Sequence, residues 1–231
     1  MTTVFQEDIR CFMCGEKREY AVVASTNAFG PTDLDTRPPE MKRSTMCYWV
    51  QTCPECGYTA VDVSDETTVG REFLDSQAYK GCDGIPFASD LAKDFYRHYL
   101  IMKAEKKDED AFYALLHEAW ACDDAEDRAN AVRVRNMAIG IADKLLASDK
   151  LDWRETLSLI RADLLRRASR FDELLEEYGS ARYEDDLLNR IIDFEKELAR
   201  RKHTGCYTVE DSENYAGGSF DWPEERGLTA K

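Results

Sequence analysis

Two short cysteine motifs carry the clearest chemistry in this 231-residue sequence. The motif CFMCG places thiols at Cys11 and Cys14, and CPECG repeats the spacing at Cys53 and Cys56. Two thiolates in a C-x-x-C arrangement can reach the same tetrahedral ion, at a metal–sulfur distance of about 2.3 Å. The glycine after each pair supplies the positive φ that such a turn often needs, without steric strain. The spacing therefore predicts two zinc knuckles that together form one closed four-cysteine site.

A site with four protein ligands is structural, because no coordination position remains for water or a substrate. The two motifs are separated by 38 residues, whereas about 15–20 is usual for paired knuckles. Residues 27–44 hold three of the six prolines, and we interpret them as a loop that absorbs this extra length. A segment of about 60 residues has a thin core, so bound zinc can supply part of its folding free energy.

Two other chemistries fit paired cysteines. A redox pair is typical of a CxxC at the N-terminus of a helix, where the dipole lowers a thiol pKa, but candidate strands follow both motifs here. Four unliganded buried thiols are the second alternative, because free cysteine is among the most buried residue types. Four sulfur ligands suit iron as well as zinc. Zinc is the default, and the sequence leaves the choice of metal open.

The net charge of −15 limits the classes of partner. No segment carries an excess of Lys and Arg, which supply most of the affinity for nucleic acid. We therefore do not expect nucleic acid or an anionic membrane surface as a partner. No apolar run approaches the ~20 residues that span a bilayer, and the N-terminus does not resemble a secretory signal. These features predict a cytoplasmic protein whose eight cysteines stay reduced.

Short strands are the elements that must position the cysteines. The segments REYAVVAS (residues 18–25), MCYWVQT (46–52) and YTAVDVS (58–64) are rich in β-branched and aromatic residues, which predicts strands. We assign residues 1–63 to a zinc-ribbon-like domain. Residues 64–88 contain several glycines and are predicted to form a connector.

A helical region follows, over residues 89–203. Ser89 is a candidate N-cap, and Asp152 with Glu155 has the spacing of a capping box. Residues beyond 203 lose periodicity, so we predict an irregular acidic tail over residues 204–231. Four stripes of apolar residues recur at helical spacing: Phe95, Tyr99 and Met102; Val134, Met137, Ile141 and Leu145; Leu157, Ile160, Leu164 and Ala168; Leu187, Ile191, Phe194 and Leu198.

A weak internal repeat relates residues 114–132 to residues 158–175. Each segment is a helix, a short polar break and a second helix. The offset of 44 positions exceeds the ~34 of a tetratricopeptide repeat, so the match is to stacked helical hairpins in general. The predicted fold class is α+β, with a small N-terminal β zinc ribbon followed by a tetratricopeptide-like array of α-helical hairpins.

The sequence also resembles a known family. The segment MCYWVQTCPECGYTA, preceded by CFMCG and followed by LIRADLLRRASRFDELLEEY, resembles an uncharacterised bacterial family of unknown function. That family combines a double-CxxC ribbon with tetratricopeptide-like helices, and the resemblance covers about residues 9–200. It implies metal binding at the four cysteines of the two motifs. It implies no activity, because none is assigned to the family.

Other residues could carry chemistry, but their signals are weaker. His203 and Cys206 form an H-x-x-C spacing that could bind metal, although one such pair is not specific. Four arginines between positions 161 and 170 could meet an acidic partner, but we favour ion pairs with acidic residues on neighbouring turns. Three aromatic residues of the tail either dock onto the helices or bind a partner. The four arginines are Arg161, Arg166, Arg167 and Arg170, and the three aromatic residues are Tyr215, Phe220 and Trp222.

None of the common catalytic motifs is present in the sequence, including the nucleophile elbow, the phosphate-binding loop and the zincin helix. We therefore predict no catalytic residues and a non-enzymatic zinc-binding adaptor or regulator. Its helical region would bind a protein or peptide, because helical arrays expose concave surfaces. The alternatives are a nucleic-acid-associated zinc-ribbon regulator and a thiol redox or metal-sensing switch. The oligomeric state is not predicted.

Overall fold

The structure, a computed structural model, describes residues 1–148 and 151–222. The chain forms two compact units. The first comprises Met1–Phe29 and Pro39–Ser148, and the second comprises Gly30–Pro38 together with the residues described after 150. The fold is α+β, as the sequence predicts. The unit boundaries differ from the predicted segments. Residues 30–38 of the predicted ribbon belong to the second unit, and the rest of the ribbon shares the first unit with the connector and the first three long helices.

Four strands of the first unit form two separate antiparallel hairpins. Strand β1 (Thr3–Arg10) pairs with β2 (Lys17–Ser25), and β3 (Gln51–Thr52) pairs with β4 (Thr59–Ala60). Strand β2 confirms the first predicted strand. The sequence patterns did not predict β1, because seven of its eight residues are exposed and it lacks the apolar alternation of a half-buried strand.

The predicted strand over residues 46–52 is wrong for most of its length. A 3-10 helix spans Arg43–Tyr48, and only Gln51–Thr52 is extended. The cause is local. The Thr45 hydroxyl donates to the carbonyl of Lys42 at 2.7 Å and accepts a hydrogen bond from Trp49 Nε1 at 3.0 Å, which favours a turn over an extended backbone.

The predicted strand over residues 58–64 is also shorter than expected. Only Thr59–Ala60 is extended. The carboxylate of Asp62 then accepts a hydrogen bond from Ser64 N–H at 2.8 Å. This local bond replaces strand pairing with an Asx-type turn, so the second knuckle stands on a very short hairpin.

The remainder of the first unit is helical. Ser89 caps the first long helix, as predicted, by accepting a hydrogen bond from Ala92 N–H at 3.4 Å. Among the described residues, no helix combines the length and the apolar character required to cross a membrane. The helices of this unit are α1 (Arg71–Leu74), α2 (Gln77–Lys80), a 3-10 turn (Gly81–Gly84), α3 (Asp90–Ala104), α4 (Asp108–Asp124) and α5 (Arg128–Leu146).

The helical hairpins share one type of turn. Glu126, between α4 and α5, has φ of 56°, and Ser169, at the corresponding break in the second unit, has φ of 63°. In both turns the next N–H bonds to the carbonyl five residues earlier, at 2.8 Å. This is the Schellman pattern that ends a helix with one left-handed residue. The weak repeat in the sequence therefore corresponds to two helical hairpins with the same closing turn.

The buried face of α5 is rotated from the predicted stripe. Val134 is buried, but Met137, Ile141 and Leu145 are only half-buried. Alanines form much of the buried face instead. Small side chains on a helix face allow a neighbouring helix to approach closely. The buried residues of α5 are Asn130, Ala131, Val134, Arg135, Ala138, Ile139 and Ala142.

The second unit contains four helices among its described residues. The stripe from Leu157 to Ala168 is buried at all four positions, as predicted. The predicted capping box of Asp152 and Glu155 does not form, because the N-cap is Trp153 and no side chain caps this helix. The helices are α6 (Arg154–Arg167), α7 (Phe171–Tyr178), α8 (Asp186–Arg200) and α9 (Val209–Ala216).

The segment after residue 203 is ordered by helix capping and aromatic packing, which corrects the prediction of an irregular tail. Thr208 and Asp211 form a capping box at the start of α9. The Phe220 ring lies 4.9 Å from both the Phe194 ring on α8 and the Trp222 ring. These aromatic side chains dock onto the helices of the chain itself. Residues 223–231 of the predicted tail lie outside the described residues.

The connector of the first unit is held by one buried carboxylate. Glu105, at the C-terminal end of α3, accepts hydrogen bonds from the Thr67 hydroxyl at 2.8 Å and from Thr68 N–H at 2.7 Å. Burial opposes ionisation, but hydrogen bonds from Lys107 and Thr68 prevail and lower the pKa of Glu105 to about 2. The ionised form is therefore favoured in the folded state.

We expect Glu105→Ala to destabilise the first unit by about 1–3 kcal/mol, because it leaves the donors of Thr67 and Thr68 unpaired. Since folding lowers the pKa of this carboxyl, its contribution is complete above the usual glutamate pKa of about 4.3 and is lost as pH falls toward 2. Urea unfolding at pH 7 and pH 3 measures both effects. Glu66→Ala, an exposed change in the same connector, is the control, and an equal loss in both variants would contradict the assignment.

Candidate metal centre

The two cysteine motifs form loops of the same backbone geometry. Each loop closes a hairpin, with Cys11 following β1 and Cys53 following β3. The N–H of the first cysteine bonds to the carbonyl five residues later at 2.8 Å in both loops. Gly15 and Gly57 have φ of 76° and 74°, and each N–H returns to the carbonyl of the first cysteine at 2.9 and 2.8 Å. Each motif therefore forms the predicted knuckle turn, with glycine in the left-handed region.

The tertiary fold brings the two knuckles together. The four sulfur atoms all lie within 4.8 Å of one another. The shortest pairs join the two loops: Cys11 Sγ lies 3.7 Å from Cys56 Sγ, and Cys14 Sγ lies 3.6 Å from Cys53 Sγ. Sulfurs around a tetrahedral ion with bonds of about 2.3 Å lie about 3.8 Å apart, whereas a disulfide requires about 2.05 Å. The arrangement could hold a metal ion, and it does not match disulfide pairing.

The cluster is partly enclosed by the protein. Cys11 and Cys53 are buried, Cys56 is half-buried and Cys14 is exposed. Two backbone contacts fix the loops: Phe12 N–H donates to the carbonyl of Val63 at 2.8 Å, and the Tyr79 hydroxyl donates to the carbonyl of Gly57 at 2.6 Å. The second contact comes from α2, so the connector helps to position the second knuckle.

Burial and backbone hydrogen bonds shift the thiol pKa values in different directions. Burial raises the pKa of Cys11 and of Cys56. Burial also acts on Cys53, but N–H groups of Cys56 and Glu55 bond its sulfur and lower its pKa. Four adjacent thiols cannot all ionise without a compensating charge, because like charges at this distance repel. A divalent cation would supply that charge and would displace the protons.

Tyr20 on β2 lies in the electrostatic field of the cluster. Burial, and then the charges of the four cysteines, raise the pKa of Tyr20 to about 12. Within the described part of the chain its buried hydroxyl has no hydrogen-bond partner. The hydroxyl therefore stays protonated near the sulfurs, and no sequence pattern indicated this residue.

Cysteines outside the two motifs do not join the cluster. Cys47 lies in the 3-10 helix before β3 and is exposed. The sequence predicted a strand at this position. In the 3-10 helix that forms instead, the thiol is exposed to solvent. Cys122 is completely buried on α4. In residues 1–148 and 151–222 no second group of three or more cysteine, histidine or acidic side chains has the geometry to hold a metal ion.

The histidines of the first unit are core residues. The His117 ring lies 5.2 Å from Trp49, 5.3 Å from Phe95 and 5.0 Å from Trp120, measured between ring centroids. Burial lowers the pKa of His117 to about 3, and burial also lowers the pKa of His98. Both rings are therefore neutral at pH 7, and their role is packing.

The H-x-x-C pair of the second unit is not assembled as a site. His203 Nδ1 is 2.8 Å from the Tyr207 hydroxyl, and Cys206 Sγ is 2.9 Å from Asp33 Oδ2. The two side chains thus have different partners. Arg166 pairs with Asp163 and Arg170 with Glu173, on neighbouring turns as predicted. Arg161 instead contacts Glu177 on α7 at 2.5 Å, and Arg167 pairs with Asp35.

Comparison with known proteins adds no relative. No protein-family model matches the chain, and neither the curated proteins nor the solved structures include a match. The resemblance to a bacterial double-CxxC family therefore stays a prediction, and the function must be argued from the site alone.

Proposed function

We propose that the first unit holds one zinc ion in a closed structural site formed by Cys11, Cys14, Cys53 and Cys56. The observation that supports this proposal is the meeting of four sulfurs within 4.8 Å on two loops of matching backbone geometry. Zinc accepts tetrahedral sulfur ligation without a competing geometric preference, and four thiolates leave no position for a substrate. The ion therefore acts by stabilising the fold rather than by catalysis.

We further propose that the protein is a non-enzymatic, cytoplasmic adaptor or regulator that binds a protein or peptide through its helical hairpins. The hairpin of α4 and α5 supports this with two large apolar side chains at exposed positions, Tyr113 and Val132. Aromatic residues are enriched at protein interfaces, where their burial contributes much of the binding energy. The net charge of −15 favours a basic partner over nucleic acid.

Native mass spectrometry of the reduced protein, purified without added metal, tests the metal proposal. We expect one zinc per chain, released only on acid denaturation, because protons compete for the thiolates. One iron per chain would be recognised by its mass and by visible absorption, and it would overturn the assignment of zinc. Folded protein without metal would refute the site.

Two cysteine variants test which cysteines bind the metal. Cys14→Ser removes the most exposed sulfur of the cluster, and we expect its zinc content to fall well below one per chain. Cys47→Ser removes an exposed thiol outside the cluster and should keep a full zinc. Equal zinc content in the two variants would contradict the ligand set.

The partner proposal is tested separately. Tyr113→Ser and Val132→Ser alter exposed positions, and we expect both variants to keep the zinc content and the fold. If the helical hairpin is the binding surface, both should weaken a purified complex by about 1 kcal/mol or more. Unchanged affinity in both variants would exclude this hairpin.

A further inference from the structure

The second unit contains a cavity of about 380 Å³ bordered mainly by basic side chains. It lies between the C-terminal ends of α7 and α9, the loop after α7, and one face of α8. Its volume falls within the range of small-molecule sites. The residues that give it chemical character are Arg182, Arg190, Asp193, Lys196, Arg200 and Tyr215.

Four of these six side chains are cations, and only Asp193 is acidic. Positions 190, 193, 196 and 200 of α8 recur at intervals of three and four, so they lie along one face of the helix. Arg182 joins them from the loop after α7. In a chain with a net charge of −15, this is a local reversal of sign. A concave surface lined by one sign of charge concentrates ions of the opposite sign.

The existing ion pairs do not neutralise the cavity. Asp193 Oδ1 is shared between Lys196 Nζ, at 2.6 Å, and Arg182 NH1, at 3.2 Å. One carboxylate thus serves two cations. The Lys196 side chain is only 4% exposed, and a buried ammonium benefits strongly from further negative charge.

The other two cations are paired only loosely. Arg190 lies 3.8 Å from Glu213, and Arg200 lies 3.3 Å from Glu197. The side chains of Arg190, Glu213 and Arg200 are about half exposed. Exposed pairs of this kind contribute about 0–1 kcal/mol. A ligand that offers several charges can therefore engage both guanidinium groups.

The arrangement favours a phosphate group over a single carboxylate. A carboxylate satisfies one arginine in a bidentate pair, whereas a phosphate presents three oxygens in different directions. The cations here come from two elements and surround the space. Tyr215 adds a hydroxyl, a group that can donate a hydrogen bond to an oxyanion.

We propose that this cavity binds a small phosphorylated ligand that carries at least two negative charges. The inference is independent of the zinc proposal, because every lining residue belongs to the second unit. A nucleic-acid backbone carries the same chemistry. The strongly acidic chain would repel a long polyanion beyond the cavity, which favours the small ligand.

Isothermal titration calorimetry of the full-length protein with inorganic pyrophosphate, at fixed ionic strength, tests the proposal. We expect saturable binding, and we expect its affinity to fall when the titration is repeated at a higher ionic strength. The double variant Arg190→Gln/Arg200→Gln should bind at least about tenfold more weakly, because two charged donors are lost. Both side chains are about half exposed, so the variant should fold normally.

Lys202→Gln is the matched control, because it removes a nearby exposed charge that does not line the cavity. It should bind pyrophosphate like the unmodified protein. Absence of saturable binding at about 10 mM pyrophosphate, or equal affinity in the double variant, would overturn the proposal. Tighter binding of a single-stranded oligonucleotide than of pyrophosphate would overturn the assignment to a small ligand.

Discussion

Replacing Cys53 by serine is expected to unfold the ribbon of the first unit rather than only empty its metal site. Cys53 is completely buried, and its sulfur lies 3.6 Å from Cys14 Sγ on the other knuckle. The loss of one buried ligand removes the common ion that would join the two loops. The loops are 38 residues apart in the chain, and the hairpin that carries the second has only two residues in each strand. A hairpin of that length is not stable by itself.

The expected effect is large because a structural zinc ion contributes much of the folding free energy. Apparent values of about 10–16 kcal/mol are typical of zinc-finger peptides at pH 7. The total stability of a domain is about 5–15 kcal/mol. Loss of the ion therefore outweighs any single side-chain contact of the ribbon. Removal of the metal by a chelator should have the same effect on the unmodified protein.

Hydrogen exchange resolved along the chain provides the measurement. We expect residues 1–29 and 39–63 to lose protection in Cys53→Ser, while helices α6–α8 of the second unit keep theirs. The control is Cys47→Ser, which alters an exposed thiol in the same region. A Cys53→Ser protein with unchanged near-UV dichroism and unchanged protease resistance of the ribbon would refute the structural role of the ion.

The second large effect is expected from Arg166→Met, which removes a completely buried cation from α6. Arg166 Nε donates to Glu195 at 2.6 Å, and NH2 donates to Asp163 at 2.5 Å. NH1 donates to the carbonyls of His203 and Gly205 at 2.9 and 2.8 Å. This one side chain therefore links α6, α8 and the start of the segment that follows α8.

Removal of Arg166 leaves a buried charge without compensation. Burial raises the pKa of Glu195, and the adjacent Arg166 guanidinium opposes that rise. Without Arg166, the buried carboxyl groups of Glu195 and Asp163 lose their cation. Breaking a buried pair by removal of one partner costs about 3–5 kcal/mol. We expect a loss of that size in the free energy of unfolding of the second unit.

Urea unfolding, followed by hydrogen exchange of α6 and α8, measures this loss. Arg170→Met is the matched control, because Arg170 pairs with Glu173 on the surface of the same unit and exposed pairs contribute about 0–1 kcal/mol. A similar loss of unfolding free energy in the two variants would show that the buried Arg166 cluster stabilises the second unit no more than the Arg170 pair does. A loss confined to Arg166→Met would confirm that the buried cluster contributes more to stability.

Local residue patterns account for the parts of the structure that the sequence predicted correctly. The CxxCG turns, the N-cap at Ser89 and the buried stripe of α6 each depend on residues within a few positions of one another. The ion pairs of Arg166 with Asp163 and of Arg170 with Glu173 follow the same logic, because three positions separate the partners. The prediction was wrong at residues 43–48, where the Thr45 hydrogen bonds outweighed the β propensity of the segment. It was also wrong for the segment after residue 203, which is ordered by the packing of aromatic rings on Phe194.

By itself, the sequence determined the α+β class, the two knuckle turns and the identity of the four candidate ligands, because these follow from spacing and from the conformational freedom of glycine. Only the tertiary structure decided that the two knuckles meet within 4.8 Å, that Arg166 is buried, and that four cations of the second unit surround one cavity. Each of these facts depends on residues far apart in the chain. Burial and the approach of distant side chains arise only when the helices and loops pack together.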